Sequence, residues 1–395
     1  MGIMYISPSL MILFMKVFLY SLLLGFSLFC FSCSDSSNME NAGIVLHVNL
    51  DKKINSFKEI FSKVEIIPLE TVDSSLIVWM KKVIPVGNKL YVYDDWAYNL
   101  HVFDKNGNYQ HRIGRKGQGP GEYLNMQDCV IDVTNKDIYM LSIYGRIKRF
   151  TLDGVFKEEI ELPARPHYYS MSLLDNSHLA TWSCLEKEEG GVLIIDKHTS
   201  DTIGSYWHDD RMFDNQQYFP FFQNEGKTYF ATGIRQQVYE VTTTGLRPAY
   251  LWDFGKYNIR ESTYEYYLNI ENSTERNEKI IDDYGTDMLP FNLLIQRQNE
   301  RYSYVGLQRE KGIRPSMTHV FYDHKRNESL VFDHLNGKDC KMNPPLYFGD
   351  DYLLTDILYD DRETFKSILP KEEYQKLENM LEDDNPCLLK LYFKK

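Results

Sequence analysis

Beyond the first 45 residues, apolar and polar positions alternate with a period of two in short runs separated by turn residues. This is the signature of half-buried β-strands rather than helices. The runs repeat. Leu90-Tyr91-Val92-Tyr93 is followed by His101-Val102-Phe103-Asp104 and the turn Lys105-Asn106-Gly107. The same unit returns as Ile138–Leu141 with Ile147–Gly154, as Leu179–Trp182 with Val192–Lys197, and as Thr228–Ala231 with Val238–Thr242. Aligned on Phe103, Phe150, Ile195 and Val241, the steps are 47, 45 and 46 residues. A looser copy ends at Val320-Phe321-Tyr322-Asp323-His324. Asp-Lys-Asn-Gly and Leu-Asp-Gly supply residues that tolerate the positive φ of hairpin turns. A four-stranded sheet cannot bury both faces alone, so copies must stack. A repeat of this length predicts a β-propeller.

Two stretches break the pattern. Residues 256–300 read as a polar insertion, helix-like around Tyr264–Glu278. Residues 361–383 read as helical: Pro370 starts a second segment, and Tyr374, Leu377 and Met380-Leu381 recur at helical spacing. Setting these aside leaves room for about six units. The fold expected is all-β, a six-bladed β-propeller over residues 46–395. A ring must close. Cys387–Phe393 is the candidate closing strand, with Val64–Leu69 or Ile44–Val48 as its N-terminal partner.

The N-terminus is different in kind. Val17–Ser32 are sixteen uncharged residues behind Lys16, too short to span a bilayer and suited to a secretory signal. The run ends in Cys30-Phe31-Ser32-Cys33, followed by Ser34-Asp35-Ser36-Ser37-Asn38. This resembles a bacterial lipoprotein signal, with Ser32 as the small residue before the lipidated Cys33. The division expected is a signal peptide over 1–32, a linker over 33–45 and the propeller beyond. Met15 is a second plausible start besides Met1. The Ser34-Asp35 start resembles signals that send lipoproteins to the outer membrane, facing the periplasm or the cell surface. Several acyl chains make a stable anchor, so the membrane is an expected partner.

Composition sharpens this picture. The chain has 395 residues with 29 Tyr and 22 Phe, and aromatic residues make up 14%, which favours strands. Its net charge of −12 argues against nucleic acid as a partner, because duplex binding needs a basic face. Cys129, Cys184, Cys340 and Cys387 contain no CxxC pair and read as buried thiols, although spacing alone leaves three full pairings open.

The run Gly114-Arg115-Lys116-Gly117-Gln118-Gly119-Pro120-Gly121-Glu122-Tyr123, between Phe103-Asp104 and Ile131-Asp132, resembles an NHL-type repeat. Together with Ile67-Pro68-Leu69-Glu70-Thr71, Asn385-Pro386 and the lipoprotein signal, it makes the chain resemble the six-bladed β-propeller lipoproteins of Gram-negative bacteria. That resemblance implies fold and location and leaves the chemistry open.

The glycine-rich run lacks the Lys-Ser/Thr and the following helix of a phosphate loop. It reads as a tight loop between blades in which Gly117, Gly119 and Gly121 take positive φ, with Arg115 and Glu122 able to line a blade face. His167, Tyr168 and Tyr169 follow Pro163 and Pro166 where a blade should begin near the axis. Tyr218 stands at the corresponding place one blade later, and Arg301-Tyr302 after the insertion. Aromatic faces with Arg and His donors suit a glycan or peptide ligand. No metal motif or cofactor motif is evident among ten scattered histidines, although spacing leaves a channel Ca²⁺ or Zn²⁺ with ligands from several blades open. His319 and His324 should lie on opposite strand faces. No GxSxG elbow occurs. The sequence therefore favours a membrane-anchored module that binds a glycan, peptide or protein. The alternative is a channel-centred, metal-assisted lyase or hydrolase acting on glycans or peptides.

Overall fold

The computed structural model describes residues 43–163, 167–186, 189–206, 220–310, 316–336 and 340–395. The signal, Cys33 and Tyr218 lie outside the described residues. Six four-stranded antiparallel units follow one another. Blades 1 to 5 span 80–113, 128–161, 168–206, 221–253 and 292–332, each running from innermost to outermost strand. Blade 6 combines the C-terminal strands Tyr347–Phe348, Tyr352–Ile357 and Cys387–Phe393 with the N-terminal strand Phe61–Ile67 as its outermost member. The six-bladed propeller expected from the repeat is therefore present.

The repeat positions occupy one structural place. Phe103, Phe150, Ile195 and Val241 each lie on the third strand of a blade, opposite the second residue of the second strand. The register equivalents in blades 5 and 6 are Tyr322 and Leu391. From Val241 to Tyr322 the step is 81 residues, about 35 more than the repeat of about 46. The insertion is thus shorter than the 256–300 expected. Helices α1 (Glu261–Leu268) and α2 (Ser273–Asp282) fill it, but Asn292–Gln298 is the innermost strand of blade 5. Its sequence NLLIQRQ hid it. An innermost strand borders the channel, so polar residues replace the apolar alternation there. The second insertion holds a 3-10 helix at Tyr359–Ser367 and α3 at Lys371–Glu378, with Pro370 as the N-cap residue.

Two N-terminal pieces were candidates to close the ring, and they take different places. Phe61–Ile67 pairs antiparallel with Cys387–Phe393 and closes it. Val45–His47 instead adds a fifth, parallel strand to the outer edge of blade 4. Between them the chain runs along blade 5, where Ile54 N–H donates to the Val331 carbonyl at 2.8 Å and Lys53 pairs with Asp333 at 2.7 Å. The segment 45–67 therefore straps three blades. The two segments quoted for the family resemblance meet at the seam. Asn385 Nδ2 donates to the Glu70 and Ser75 carbonyls at 2.9 and 3.0 Å, and Asn385 Oδ1 accepts from Ile77 N–H at 2.8 Å. Gly107 lies beside them at φ +91°, where a Cβ would strike the Pro68 carbonyl.

The core is divided among the spaces between blades. Tyr91, Val102, Ile113, Phe150 and Met140 fill the space between blades 1 and 2, and Tyr139, Ile147, Tyr168 and Leu193 that between blades 2 and 3. Trp182 meets Phe230 across blades 3 and 4 at 5.2 Å between ring centroids. Phe61, Tyr302, Phe321 and Phe393 form one aromatic cluster across blades 5 and 6. The abundant aromatics are mainly this packing. Fully burying one such side chain contributes roughly 1.5–3 kcal/mol. Cys129, Cys340 and Cys387 are buried free thiols, and burial pushes each up to about 12.

Two histidines are also built into this core. His101 lies inside blade 1 against Phe103 and Tyr109, and His319 hydrogen-bonds Tyr304 and stacks on Phe332 in blade 5. Burial lowers both to about 4. The unfolded chain binds these protons near pH 6.5, so stability falls as pH drops from about 6.5 toward 4, by about 2–3 kcal/mol for each histidine. Melting midpoints measured from pH 7 to 4.5 should fall steeply for the wild type and less steeply for His319→Gln. Equal slopes would count against this assignment.

Candidate functional site

The site follows from topology. In each blade the chain arrives at the innermost strand over one face of the ring, here called the upper face. The turns between second and third strands reach the same face. The lower face carries the remaining hairpin turns, two in each of blades 1 to 5 and one in blade 6.

The upper mouth of the channel is held by charge. Asp128, the first residue of the innermost strand of blade 2, has a side chain only 3% exposed. It accepts from Lys82 Nζ of blade 1, and from Ser170 Oγ and Met171 N–H of blade 3 at 2.7 and 2.9 Å. Burial alone would raise its pKa, but Lys82 and Lys81 hold it below the usual carboxylate value. One carboxylate thus ties three consecutive innermost strands. Arg297 stands on the innermost strand of blade 5, and burial draws its guanidinium down to about 10. Lys82, Tyr169 and Arg297, all on innermost strands, keep partial exposure. Among the described residues, no three His, Cys, Asp or Glu side chains converge as a metal site.

On the upper face, blades 1 and 2 carry a ridge of exposed apolar and aromatic side chains. Trp96 is 76% exposed, Tyr144 69%, Leu124 63% and Val78 58%. Hydrogen bonds beneath them fix two patches, Val78 with Trp96 on blade 1 and Leu124 with Tyr144 on blade 2, and the Tyr93 hydroxyl ties the two blades below by reaching the Met126 carbonyl. Asp94 is fully buried and accepts from Val78, Trp79, Trp96 and Ala97 N–H at 2.8–3.1 Å, fixing the Trp96 turn and the incoming chain together. Tyr98, at the end of that turn, lies under Lys116, 5.4 Å from the ring centroid. Asn125 Oδ1 accepts from Ile143 N–H at 3.0 Å, joining Leu124 to the Tyr144 turn. Elsewhere on this face α1 covers part of blade 4, where the Tyr264 hydroxyl donates to the Ile234 carbonyl at 2.7 Å.

The expected ligand residues divide into three groups. Arg115 and Glu122 belong to the ridge but bind each other, Nε to Oε1 at 2.6 Å, while Glu122 Oε2 accepts from Gly119 N–H at 2.9 Å. The glycine-rich run is a self-bonded ribbon in which Arg115-Lys116 pairs with Glu122-Tyr123. Gly114 and Gly121 take φ +64° and +74°, whereas Gly119 is not in the left-handed region, because its N–H serves Glu122 in an ordinary turn. Gly121 packs so closely on Phe156 that a Cβ would lie 2.8 Å from that ring's own Cβ.

His167 and Tyr169 stay partly exposed at the upper start of blade 3, 3.4 Å apart. Tyr168 turns the other way, fully buried, with its hydroxyl on the Pro163 carbonyl at 2.7 Å. Arg301 and Tyr302 depart furthest from expectation. They sit at the lower turn of blade 5, not at the axis, because the innermost strand precedes them. Arg301 grips Asp323 at 2.6 and 3.1 Å and the Lys394 carbonyl at 2.7 Å, and Tyr302 is buried against Phe393. They fasten the closing strand. Trp96 and Tyr144 were missed by sequence reading, because a turn aromatic looks the same whether it packs inward or stands out.

Fold and site together define a six-bladed β-propeller with a rigid, exposed hairpin surface. The chain belongs to the family described as Domain of unknown function (DUF4934), which matches residues 44–392. No curated protein matches it. Among solved structures, a Bacteroides fragilis protein described as exported superposes with a TM-score of 0.74 at 19% identity, covering 89% of this chain and 100% of its own. A member of the DUF4221 family from Bacteroides vulgatus gives 0.53 at 11% identity, covering 85% and 97%. At these identities the likeness shows fold alone. No helix among the described residues is long and apolar enough to cross a membrane.

Proposed function

We propose that this protein is an outer-membrane lipoprotein, tethered through Cys33, whose propeller holds a glycan or peptide ligand on the upper ridge of blades 1 and 2. The ridge carries the reading. Side chains as large as Trp96 and Tyr144 gain by burial, yet here they stand in solvent on turns fixed by buried hydrogen bonds. Exposed apolar patches of this kind mark binding surfaces. A rigid propeller presenting turns is a scaffold for binding, since loops carry function while the sheets hold them in place. The likeness to a protein described as exported supports a location outside the cytoplasm.

Two measurements test this reading. Cys33→Ala should remove palmitate labelling and release the protein from membranes, and labelling that persists would overturn the anchor. Glycan and peptide arrays probed with the full-length protein should give hits that Trp96→Ala weakens by about tenfold or more, the scale of one aromatic contact. Hits indifferent to Trp96→Ala would place the ligand elsewhere.

A further inference from the structure

We propose that the ligand of the blade 1–2 ridge is an acidic polysaccharide, its sugar faces lying on Trp96 and Tyr144 and its anionic groups meeting Arg112 and Lys116. This inference rests on the ridge being the binding surface. Three observations carry it further than an apolar patch would.

The first is charge. The chain is acidic overall, yet the ridge is flanked by Arg112, Arg115 and Lys116, all exposed. Arg115 is neutralised by Glu122. Arg112 bonds the neutral Asn99 Oδ1 at 3.3 Å, and Lys116 lies over the Tyr98 ring. Asp95, the nearby acid, already serves Lys81 at 3.1 Å and the Tyr93 hydroxyl at 2.7 Å. Two exposed cations therefore stand at the end of the turn that carries Trp96. The glycine-rich ribbon explains why Lys116 stays there: its internal pairing holds the Arg115-Lys116 edge outward.

The second is strain. Tyr98 has φ +53°, a conformation that costs a bulky residue about 1–3 kcal/mol. In blade 2 the last residue of the equivalent turn is Gly145, at φ +77° without that cost. The Trp96 turn keeps an aromatic ring where glycine would be easier, and that ring supports Lys116.

The third is shape. Peptides add as strands to open sheet edges, lie as helices or polyproline segments in apolar grooves, or dock acidic motifs on Arg clusters, and the polyglutamate arm of the test below separates the last of these from a glycan. The turns of the ridge close strands already paired on both sides, and their rings stand out into solvent. Flat, exposed rings suit the apolar faces of pyranoses, and the cations add selection for uronate or sulfate.

The test uses the full-length protein and four defined polymers: polygalacturonate, chondroitin sulfate, neutral amylose and poly-L-glutamate. Binding is measured by calorimetry at about 50 and about 300 mM salt, where screening differs strongly. An acidic polysaccharide should bind at least about tenfold tighter than amylose or polyglutamate, and more weakly at the higher salt. Chondroitin sulfate carries glucuronate as well as sulfate, so tighter binding to it than to polygalacturonate shows that sulfate adds to carboxylate recognition. The double variant Arg112→Ala/Lys116→Ala should weaken that binding about tenfold and flatten its salt dependence. Equal binding of amylose, unchanged by the double variant, would overturn the acidic ligand while leaving the ridge intact. Polyglutamate binding as well as the sugars would overturn the glycan. Binding untouched by Trp96→Ala would sink the ridge itself. Failure of both acidic polysaccharides to bind would also overturn the inference.

Discussion

Removing residues 387–395 should abolish the cooperative melting transition. Cys387–Phe393 is the third strand of blade 6, paired on one side with Tyr352–Ile357 and on the other with the N-terminal Phe61–Ile67. Leu388, Leu389, Leu391 and Phe393 are all buried. At roughly 1.5–3 kcal/mol each, their loss removes about 6–12 kcal/mol. A whole domain is stable by only about 5–15 kcal/mol. The outermost strand of blade 6 would lose its neighbour as well, and Arg301 would lose the Lys394 carbonyl. Circular dichroism melting should show no sharp transition for the truncated chain. A single transition near that of the wild type would mean that the ring does not need its seam. Leu389→Ala gives a milder check on a chain that still folds, with an expected cost of about 2–5 kcal/mol.

Asp128→Ala should cost about 3 kcal/mol in chemical denaturation. The change removes the acceptor shared by Lys82, Ser170 and Met171 and leaves the Lys82 ammonium without its carboxylate. Breaking a buried ion pair from one side typically costs about 3–5 kcal/mol. The lower end applies because Lys82 keeps 21% of its side chain exposed. Lys82→Met should restore part of the loss in the Asp128→Ala background, since no stranded cation then remains. Strict additivity of the two changes would show that the pair is not coupled. The variant also separates scaffold from surface: Trp96 stands on the blade 1 turn, held by Asp94 rather than Asp128. Ligand binding at the ridge should therefore survive at temperatures where the variant remains folded.

The glycine-rich ribbon shows how motif and role can part. Its residues invited a ligand reading for Arg115 and Glu122, and the structure shows them bonded to each other. The cations proposed to meet the ligand are instead Lys116, inside the same run, and Arg112, two residues before it. Tyr168 and Tyr169 make the same point at one-residue resolution. They were read together, but the strand turns one into the core and leaves the other partly open. Arg301 and Tyr302 were placed by counting from an insertion assumed to end near 300. The polar innermost strand Asn292–Gln298 upset that count.

The sequence by itself determined the repeat, the number of blades, both helical insertions in outline and the closing strand. All of these rest on local periodicity and turn chemistry, which a linear pattern records directly. It also carried the N-terminal signal features on which the proposed anchor at Cys33 depends. Only the tertiary structure decided which aromatics are core and which form a surface, that the segment 45–67 straps blades 4 to 6, and that Asp128 joins three strands. Those outcomes depend on contacts between residues dozens to hundreds of positions apart. Alternation shows that a side chain lies on one face of a strand or at a turn, and only the stacking of neighbouring blades decides whether that place is covered.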